Sequence, residues 1–232
     1  MIKRTGAYTI AFESQPVIAG WGSVVGTKEA EGPLKNYFDK IIYDYDGCDT
    51  FEQAESMFQG EALEKALERS KTHANEVDCV FAGDLLNQCI GSSFGLMKFG
   101  IPYLGQYGAC STMAQSLIMA ASAVESGGAK VSACVTSSHF ASAERQYRFP
   151  LEYGGVRTPT AQWTVTGAGS CILKSLKKGI CVARATVGRI VDLGVSDANN
   201  MGAAMAPAAA QTLECYLEDT KTSPEDLSLI HI

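Results

Sequence analysis

Short apolar runs alternate along the chain with longer stretches in which apolar residues recur every third or fourth position. Runs of the first kind predict buried strands, and stretches of the second kind predict amphipathic helices. The clearest helix spans 51–70, where Ala54, Phe58, Ala62 and Ala66 form an apolar stripe with Glu and Lys residues between them. This stripe predicts a helix that buries one face against a sheet.

The first 136 residues contain strands and helices in regular alternation. Strands are predicted over 17–25, 77–82, 102–106 and 131–136, and helices over 51–70, 84–97 and 110–126. Alternation of this kind is typical of an α/β domain with a mostly parallel sheet covered by helices.

The remainder of the chain follows a different pattern. Residues 137–166 are polar and aromatic without a clear period, which predicts a long loop, and loops of this length in compact domains tend to be functional. Two strands are predicted over 169–174 and 180–187, and a final helix over 203–217.

Composition narrows the function classes. The chain has 232 residues and a formal net charge of −6 with no basic block, which argues against non-specific binding of nucleic acid. No apolar run of signal-peptide length follows the N-terminus. The uncharged stretch between Lys98 and Glu125 is broken by glycines and Pro102, so a buried strand, turn and helix describe it better than a membrane span.

Cysteine and histidine usage argues against a metal site. The eight cysteines include no C-x-x-C pair, and the three histidines have no paired spacing. We therefore expect reduced cysteines in an intracellular protein, with no metal ion and no cofactor.

Cys110 is the strongest candidate for chemistry. A predicted strand runs into Gly108–Ala109–Cys110, and a predicted helix begins at the cysteine. A thiol at a helix N-terminus is stabilised as the nucleophilic thiolate by the helix dipole and by nearby backbone N–H groups. The alternative is an inert cysteine packed among small residues.

Other candidate groups follow neighbouring strands. His139 comes after the fourth predicted strand and Asp84 after the second, and the carboxyl ends of strands are where α/β sheets bind ligands. Arg145, Arg148 and Arg157 supply cations for an anionic ligand. The alternatives are a structural histidine, a helix N-cap at Asp84 and a solvated surface loop.

Several longer segments carry a family resemblance. They are FAGDLLNQ at 81–88, GACSTMAQS at 108–116, TSSHFASAERQYRFPLEYGG at 136–155, TVGRIVDLGVSD at 186–197 and MGAAMAPAAA at 201–210. Together these segments resemble the stage V sporulation protein AD family, within the thiolase-like superfamily, over about 3–226.

The resemblance implies a thiolase-like layered α/β/α fold of two similar halves. On this basis, residues 1–175 form the first half and residues 176–226 begin a second, truncated half. The last six residues, LSLIHI, match the translation of a transposon end used to prepare sequencing libraries, and we predict that the 227–232 tail is not native.

The resemblance also implies a function. The family belongs to the machinery that moves dipicolinic acid into the developing spore and out again at germination. The expected partners are dipicolinic acid or a similar small aromatic dicarboxylate, the spore membrane channel proteins of the same operon, and a second copy of the chain. The expected location is cytoplasmic, at the periphery of the spore inner membrane.

The ligand is expected to bind around the nucleophile-like position. The expected contact residues are Cys110, Ser111, Asp84, His139 and Arg145. One alternative is a cysteine acyltransferase that uses Cys110, which would need a general base supplied from elsewhere. Another is a purely structural partner in a membrane-associated complex.

Overall fold

The computed structural model describes residues 1–43, 47–147, 163–197 and 200–227, and these form two units. The larger unit is Pro16–Cys181, and the smaller one combines Met1–Gln15 with Val182–Ile232. The predicted boundary at 175/176 lies within the larger unit, and residues 1–15, predicted in the first half, belong to the smaller unit. Most of the predicted non-native tail, at 228–232, lies outside the described residues.

The elements follow the predicted alternation through the larger unit. The strands are β1 (Ile2–Arg4), β2 (Thr9–Phe12), β3 (Val17–Gly26), β4 (Lys40–Ile42), β5 (Cys79–Gly83), β6 (Tyr103–Gly105), β7 (Val131–Ser138), β8 (Gly167–Lys174) and β9 (Arg184–Thr186). The helices are α1 (Phe51–Ser70), α2 (Ile90–Leu96), α3 (Thr112–Glu125), α4 (Phe140–Tyr147) and α5 (Met201–Thr220).

The larger unit is built on one six-stranded sheet in the order β4-β3-β8-β7-β5-β6. Strand β8 is antiparallel to both of its neighbours, whereas the other pairs are parallel. The expected mostly parallel α/β sheet is therefore confirmed. Because β5, β6 and β7 run in the same direction, their carboxyl ends meet at one edge of the sheet.

Helix α1 covers one face of this sheet. Its N-terminus is capped by Thr50, whose side chain accepts a hydrogen bond from the Gln53 backbone N–H. Leu63, Ala66 and Leu67 on its buried face pack with Ala133, Val135 and Ile172 of the central strands. Gly22 of β3 lets the helix approach closely, since a Cβ there would lie 2.2 Å from the Ala62 carbonyl oxygen.

Helix α3 covers the opposite face. The Ser132 hydroxyl donates a hydrogen bond to the Ala120 carbonyl of α3, and Ser132 precedes Ala133, which faces α1. Side chains of successive strand residues point to opposite faces. The uncharged stretch between Lys98 and Glu125 thus contains β6, the turn after it and α3. Within the described ranges, no helix is long and apolar enough to cross a membrane.

Two predicted elements differ from the structure. The predicted helix over 84–97 is interrupted, because Gln88 and Cys89 take left-handed backbone conformations before α2 begins at Ile90. The predicted loop over 137–166 contains α4 at its start, and its residues 148–162 lie outside the described ranges. Strands β1, β2 and β4 were not predicted, because three or four residues are too few to show a period.

The smaller unit holds its first strands through one carboxylate of α5. Asp219 accepts a hydrogen bond from the backbone N–H of Ala7 through Oδ1, at 2.9 Å. Its Oδ2 accepts from Tyr8 at 2.8 Å and from Thr9 at 2.7 Å. Burial alone would raise the pKa of Asp219, but these backbone bonds outweigh it and hold the pKa below its ordinary value.

Replacing this carboxylate is expected to release the start of β2. In Asp219→Ala, the amides of Ala7, Tyr8 and Thr9 lose their acceptor, and we expect their hydrogen exchange to accelerate at least tenfold. Because the pKa of Asp219 is held below its ordinary value of 3.8, the same acceleration should appear in the unaltered chain only as the pH falls below 3.8. Equal exchange in both proteins would contradict this anchoring role.

Candidate functional site

The turn that carries Cys110 lies between β6 and α3. A short 3₁₀ turn, Ala109–Ser111, precedes the helix, and the side chains of Cys110 and Ser111 are both exposed. Ala109 has a φ of 46°, a left-handed conformation that is uncommon for a residue with a side chain. The predicted strand–turn–helix placement of the cysteine is thus present in the structure.

Side-chain hydrogen bonds hold this turn. The Thr112 hydroxyl donates to the Ala109 carbonyl at 2.8 Å and accepts from the Gly108 backbone N–H at 3.2 Å. The Ser111 hydroxyl donates to the Gly108 carbonyl at 2.7 Å. The strained turn therefore depends on a threonine that is 1% exposed.

This arrangement predicts unequal effects for two conservative changes. Thr112→Val keeps the shape of the side chain but removes both of its bonds, and should lower the free energy of unfolding by about 1–3 kcal/mol. Ser111→Ala removes a bond on the exposed side of the turn and should cost less than about 1 kcal/mol. Denaturant unfolding measures the free energy of unfolding of each variant. Equal decreases in the two variants would contradict the role of Thr112 in holding the turn.

The start of the turn is pinned from β5. A Cβ on Gly83 would lie 1.8 Å from the Gln106 carbonyl oxygen, so only glycine permits this approach. The Cys89 thiol also donates to the Gln106 carbonyl, at 3.3 Å. The two contacts connect the Cys110 turn to the end of β5 and to the segment that follows it.

Asp84 acts within that segment. It is 1% exposed, and its Oδ1 accepts from the Leu86 backbone N–H at 2.8 Å. Its Oδ2 accepts from the Ser92 backbone N–H at 2.7 Å and from the Ser92 hydroxyl at 2.6 Å. These bonds hold the loop between β5 and α2. Asp84 is therefore not the helix N-cap that the sequence offered as an alternative, because α2 begins at Ile90 with Cys89 before it.

A buried carboxyl next to Asp84 was not predicted. Glu55 is fully buried, and its two oxygens are each hydrogen-bonded to a hydroxyl oxygen, of Ser137 and of Ser142, at 2.9 Å. Burial raises the pKa of Glu55 to about 7. The hydrogen bond with Ser137 lowers the pKa, and the nearby Asp84 carboxylate raises it further. The signal in the sequence is a pair of polar residues, Glu55 and Gln59, on the apolar face of α1.

Gln59 links this carboxyl to its surroundings. Its Nε2 donates to the hydroxyls of Ser92 and Ser137, both at 2.8 Å, and to the Gly83 carbonyl at 3.3 Å. The network therefore connects α1, β7 and the loop held by Asp84 on the α1 side of the sheet.

His139 also lies on this side. It is 4% exposed, and its ring stacks on Phe51 of α1 with the centroids 5.0 Å apart. Its Nδ1 accepts from the Ala141 backbone N–H at 3.2 Å, and its carbonyl accepts from the Ser142 hydroxyl. His139 is therefore a packed histidine at the start of α4.

The predicted site residues thus divide into two groups. Cys110 and Ser111 are exposed at the start of α3, whereas Asp84 and His139 are buried on the α1 side. Arg145 lies in α4, and the structure describes its backbone alone. Arg148 and Arg157 lie outside the described residues.

An aromatic and cationic cluster at the end of β7 was also not predicted. The Phe140 and Trp163 rings have centroids 4.3 Å apart, and the Lys28 ammonium lies 4.4 Å from the Trp163 ring centroid. Trp163 is 43% exposed, so the cluster faces solvent. The three residues are far apart in the sequence, and no local pattern indicates their meeting.

The described side chains contain no group of three or more His, Cys, Asp or Glu residues arranged to hold a metal ion. None of the eight cysteines is in a disulfide bond.

Comparison with solved structures shows the fold. The chain resembles a variant of Xanthomonas campestris OleA bound with cerulenin, with a TM-score of 0.63 and 13% identity over 98% of this chain and 76% of that one. It resembles a second OleA variant from the same organism with a TM-score of 0.59 and 13% identity over 94% of this chain and 76% of that one. The expected thiolase-like fold is confirmed.

Comparison of sequences shows the family. The chain is 39% identical to stage V sporulation protein AD of Bacillus subtilis (strain 168) over 231 residues, which are 99% of this chain and 68% of that protein. The profile of the stage V sporulation protein AD (SpoVAD) family matches residues 6–232. The chain therefore belongs to the SpoVAD family of sporulation proteins.

Proposed function

We propose that this chain binds dipicolinic acid, or a similar small aromatic dicarboxylate, at the Cys110 turn and supports its movement into and out of the spore. The observation that carries the proposal is the exposure of Cys110 and Ser111 at the beginning of α3. The first turn of a helix presents unpaired backbone N–H groups and the positive end of the dipole, both of which favour a carboxylate.

The turn offers additional donors for such a ligand. In this proposal the Ser111 hydroxyl turns from the Gly108 carbonyl to a carboxylate of the ligand. Arg145, a candidate from the sequence alone, supplies charge for the second carboxylate. Asp84 has a positioning role in this proposal, because both of its oxygens already accept bonds from its own loop. Gly83 acts on the ligand through the position of Gln106, whose carbonyl oxygen leaves no room for a side chain at residue 83.

The acyltransferase alternative requires a general base beside Cys110. Asp84 and His139 are the titratable candidates from the sequence, and both are packed on the α1 side of the sheet. Cys110 leads α3 on the opposite face. Asp84 uses both of its oxygens to hold its own loop, and His139 stacks on Phe51, which favours a binding protein over an acyl-transfer enzyme.

The test uses the exposed thiol as a reporter. Saturating dipicolinate should slow the alkylation of Cys110 by iodoacetamide at least tenfold, while the alkylation of Cys48 stays unchanged. After incubation with an acyl thioester, the intact-protein mass should show no acyl group added to Cys110. Unchanged alkylation of Cys110 would overturn the binding site, and acylation with turnover would establish the enzymatic alternative.

The proposal includes a location and partners. We place the chain in the cytoplasm, at the periphery of the spore inner membrane, in contact with the channel proteins encoded in the same operon and with a second copy of itself. Membership of the sporulation family supports this placement in the spore. We expect the chain to float with inner-membrane vesicles that contain those channel proteins and not to float with vesicles that lack them.

A further inference from the structure

Two cysteines lie opposite each other in the middle of the six-stranded sheet. Cys134 of β7 and Cys171 of β8 are direct partners in an antiparallel pair. Partners in such a pair have Cα atoms about 4.5–5.5 Å apart. This separation falls within the range of about 4.4–6.8 Å that a disulfide requires.

The two side chains share one face of the sheet. The neighbours of Cys134, Ala133 and Val135, are buried with α1, and so is Ile172, the neighbour of Cys171. Because successive strand residues point to opposite faces, both thiols point to the face that α3 covers. Cys134 is fully buried there, whereas Cys171 is partly exposed.

The thiols also interact directly. The hydrogen bond between them, together with burial, raises the pKa of Cys134 well above its ordinary value, and the same bond lowers the pKa of Cys171. Cys171 is also the more exposed of the two thiols, so an external disulfide reaches it first. The more accessible member of the pair is also the better nucleophile.

We propose that Cys134 and Cys171 form a reversible dithiol–disulfide site that reacts with low-molecular-weight disulfides. The Cys171 thiolate attacks one sulfur of the oxidant and displaces one thiol, which leaves a mixed disulfide. Cys134 then loses its proton and attacks the Cys171 sulfur, which releases the second thiol. Two protein thiols are oxidised to one disulfide, and one oxidant disulfide is reduced to two thiols.

The pairing has a structural consequence. The cysteines stand at the two ends of the segment that carries His139 and α4. A bond between them closes this segment into a covalent loop, which restricts the unfolded chain and stabilises the folded one. Oxidation of the two thiols would therefore stabilise the segment that carries His139 and α4, where candidate ligand-binding residues were predicted from the sequence.

Peptide mapping tests the proposal. The reduced 232-residue chain is incubated with oxidised glutathione, alkylated and digested with trypsin. The expected product is peptide 131–145 linked to peptide 158–174, at least tenfold more abundant than any other cysteine pairing. The midpoint of thermal unfolding should rise by about 5 °C or more, and dithiothreitol should reverse both changes.

Matched variants locate the reaction. Cys171→Ala and Cys134→Ala should each abolish the linked peptide and the thermal shift, and either variant alone suffices if the other does not fold. Cys79→Ala should retain both, because the strand partner of Cys79 is Ser132. The exposed Cys110 serves as an internal control for reactivity. Glutathione on Cys110 without the linked peptide, or the linked peptide only in denaturant, would overturn the proposal.

Discussion

The free energy of unfolding is expected to fall by about 3 kcal/mol as the pH rises from 4.5 to 7, because of one buried carboxyl. Glu55 has a pKa of about 7 in the folded chain and an ordinary value of 4.5 in the unfolded chain. Between these values, the folded state holds a proton that the unfolded state has lost. The stabilisation is therefore complete below 4.5 and is lost as the pH passes through 7.

Glu55→Gln isolates this contribution. The glutamine is neutral at every pH and has nearly the same shape, and its amide can bond to the hydroxyls of Ser137 and Ser142. We expect its unfolding free energy to be nearly constant over the pH range in which the unaltered chain loses stability.

A surface glutamate on the same helix provides the control. Glu64 is 48% exposed and pairs with Lys98, so Glu64→Gln should keep the pH dependence of the unaltered chain. The groups that face Glu55 are the Asp84 and Glu52 carboxyls and the two serine hydroxyls, and all of them remain in both variants. Parallel pH profiles for Glu55→Gln and the unaltered chain would contradict the buried, protonated state.

Gly83→Ala is expected to lower the free energy of unfolding by about 3 kcal/mol and to displace the Cys110 turn. Its Cβ would lie 1.8 Å from the Gln106 carbonyl oxygen and 2.7 Å from Thr112 Cγ2. The first of these atoms belongs to the backbone, so the turn itself must move. Denaturant unfolding measures the stability, and the alkylation rate of Cys110 reports the displacement.

Gly169→Ala is the matched control for this change. Gly169 also lies in a strand of the same sheet, but a Cβ there would meet no atom within 4 Å. Its expected effect is within about 0.5 kcal/mol, because alanine also reduces the entropy of the unfolded chain. Equal losses in the two variants would show that Gly83 does not set the position of the turn.

The main elements could be predicted because their patterns are local. The stripe on α1 and the apolar runs of β3 and β7 each contain enough residues to show a period, and the structure confirms them. The interruption before α2 could not be predicted, since it depends on Asp84 accepting bonds from Leu86 and Ser92 in preference to a continuous helix. That preference arises from burial of Asp84 against neighbouring elements.

The site could be predicted only in part. The position of Cys110 at a helix start follows from a strand, small residues and a helix in order, and the structure shows this arrangement. The division of the candidates between the two faces could not be predicted, because the strand order does not say on which side a loop residue packs. The Glu55 network joins residues from three elements, so its members are recognised only once the fold is known.

Calorimetric titration of the chain with dipicolinate tests the central claim most directly. We expect saturable heat with one site per chain. We also expect Ser111→Glu, which places a like charge on the exposed side of the Cys110 turn, to weaken affinity at least tenfold. Ser126→Glu, at the exposed opposite end of α3, should bind as tightly as the unaltered chain. Heat that does not saturate at millimolar dipicolinate, or equal affinities of the two variants, would contradict binding at the Cys110 turn.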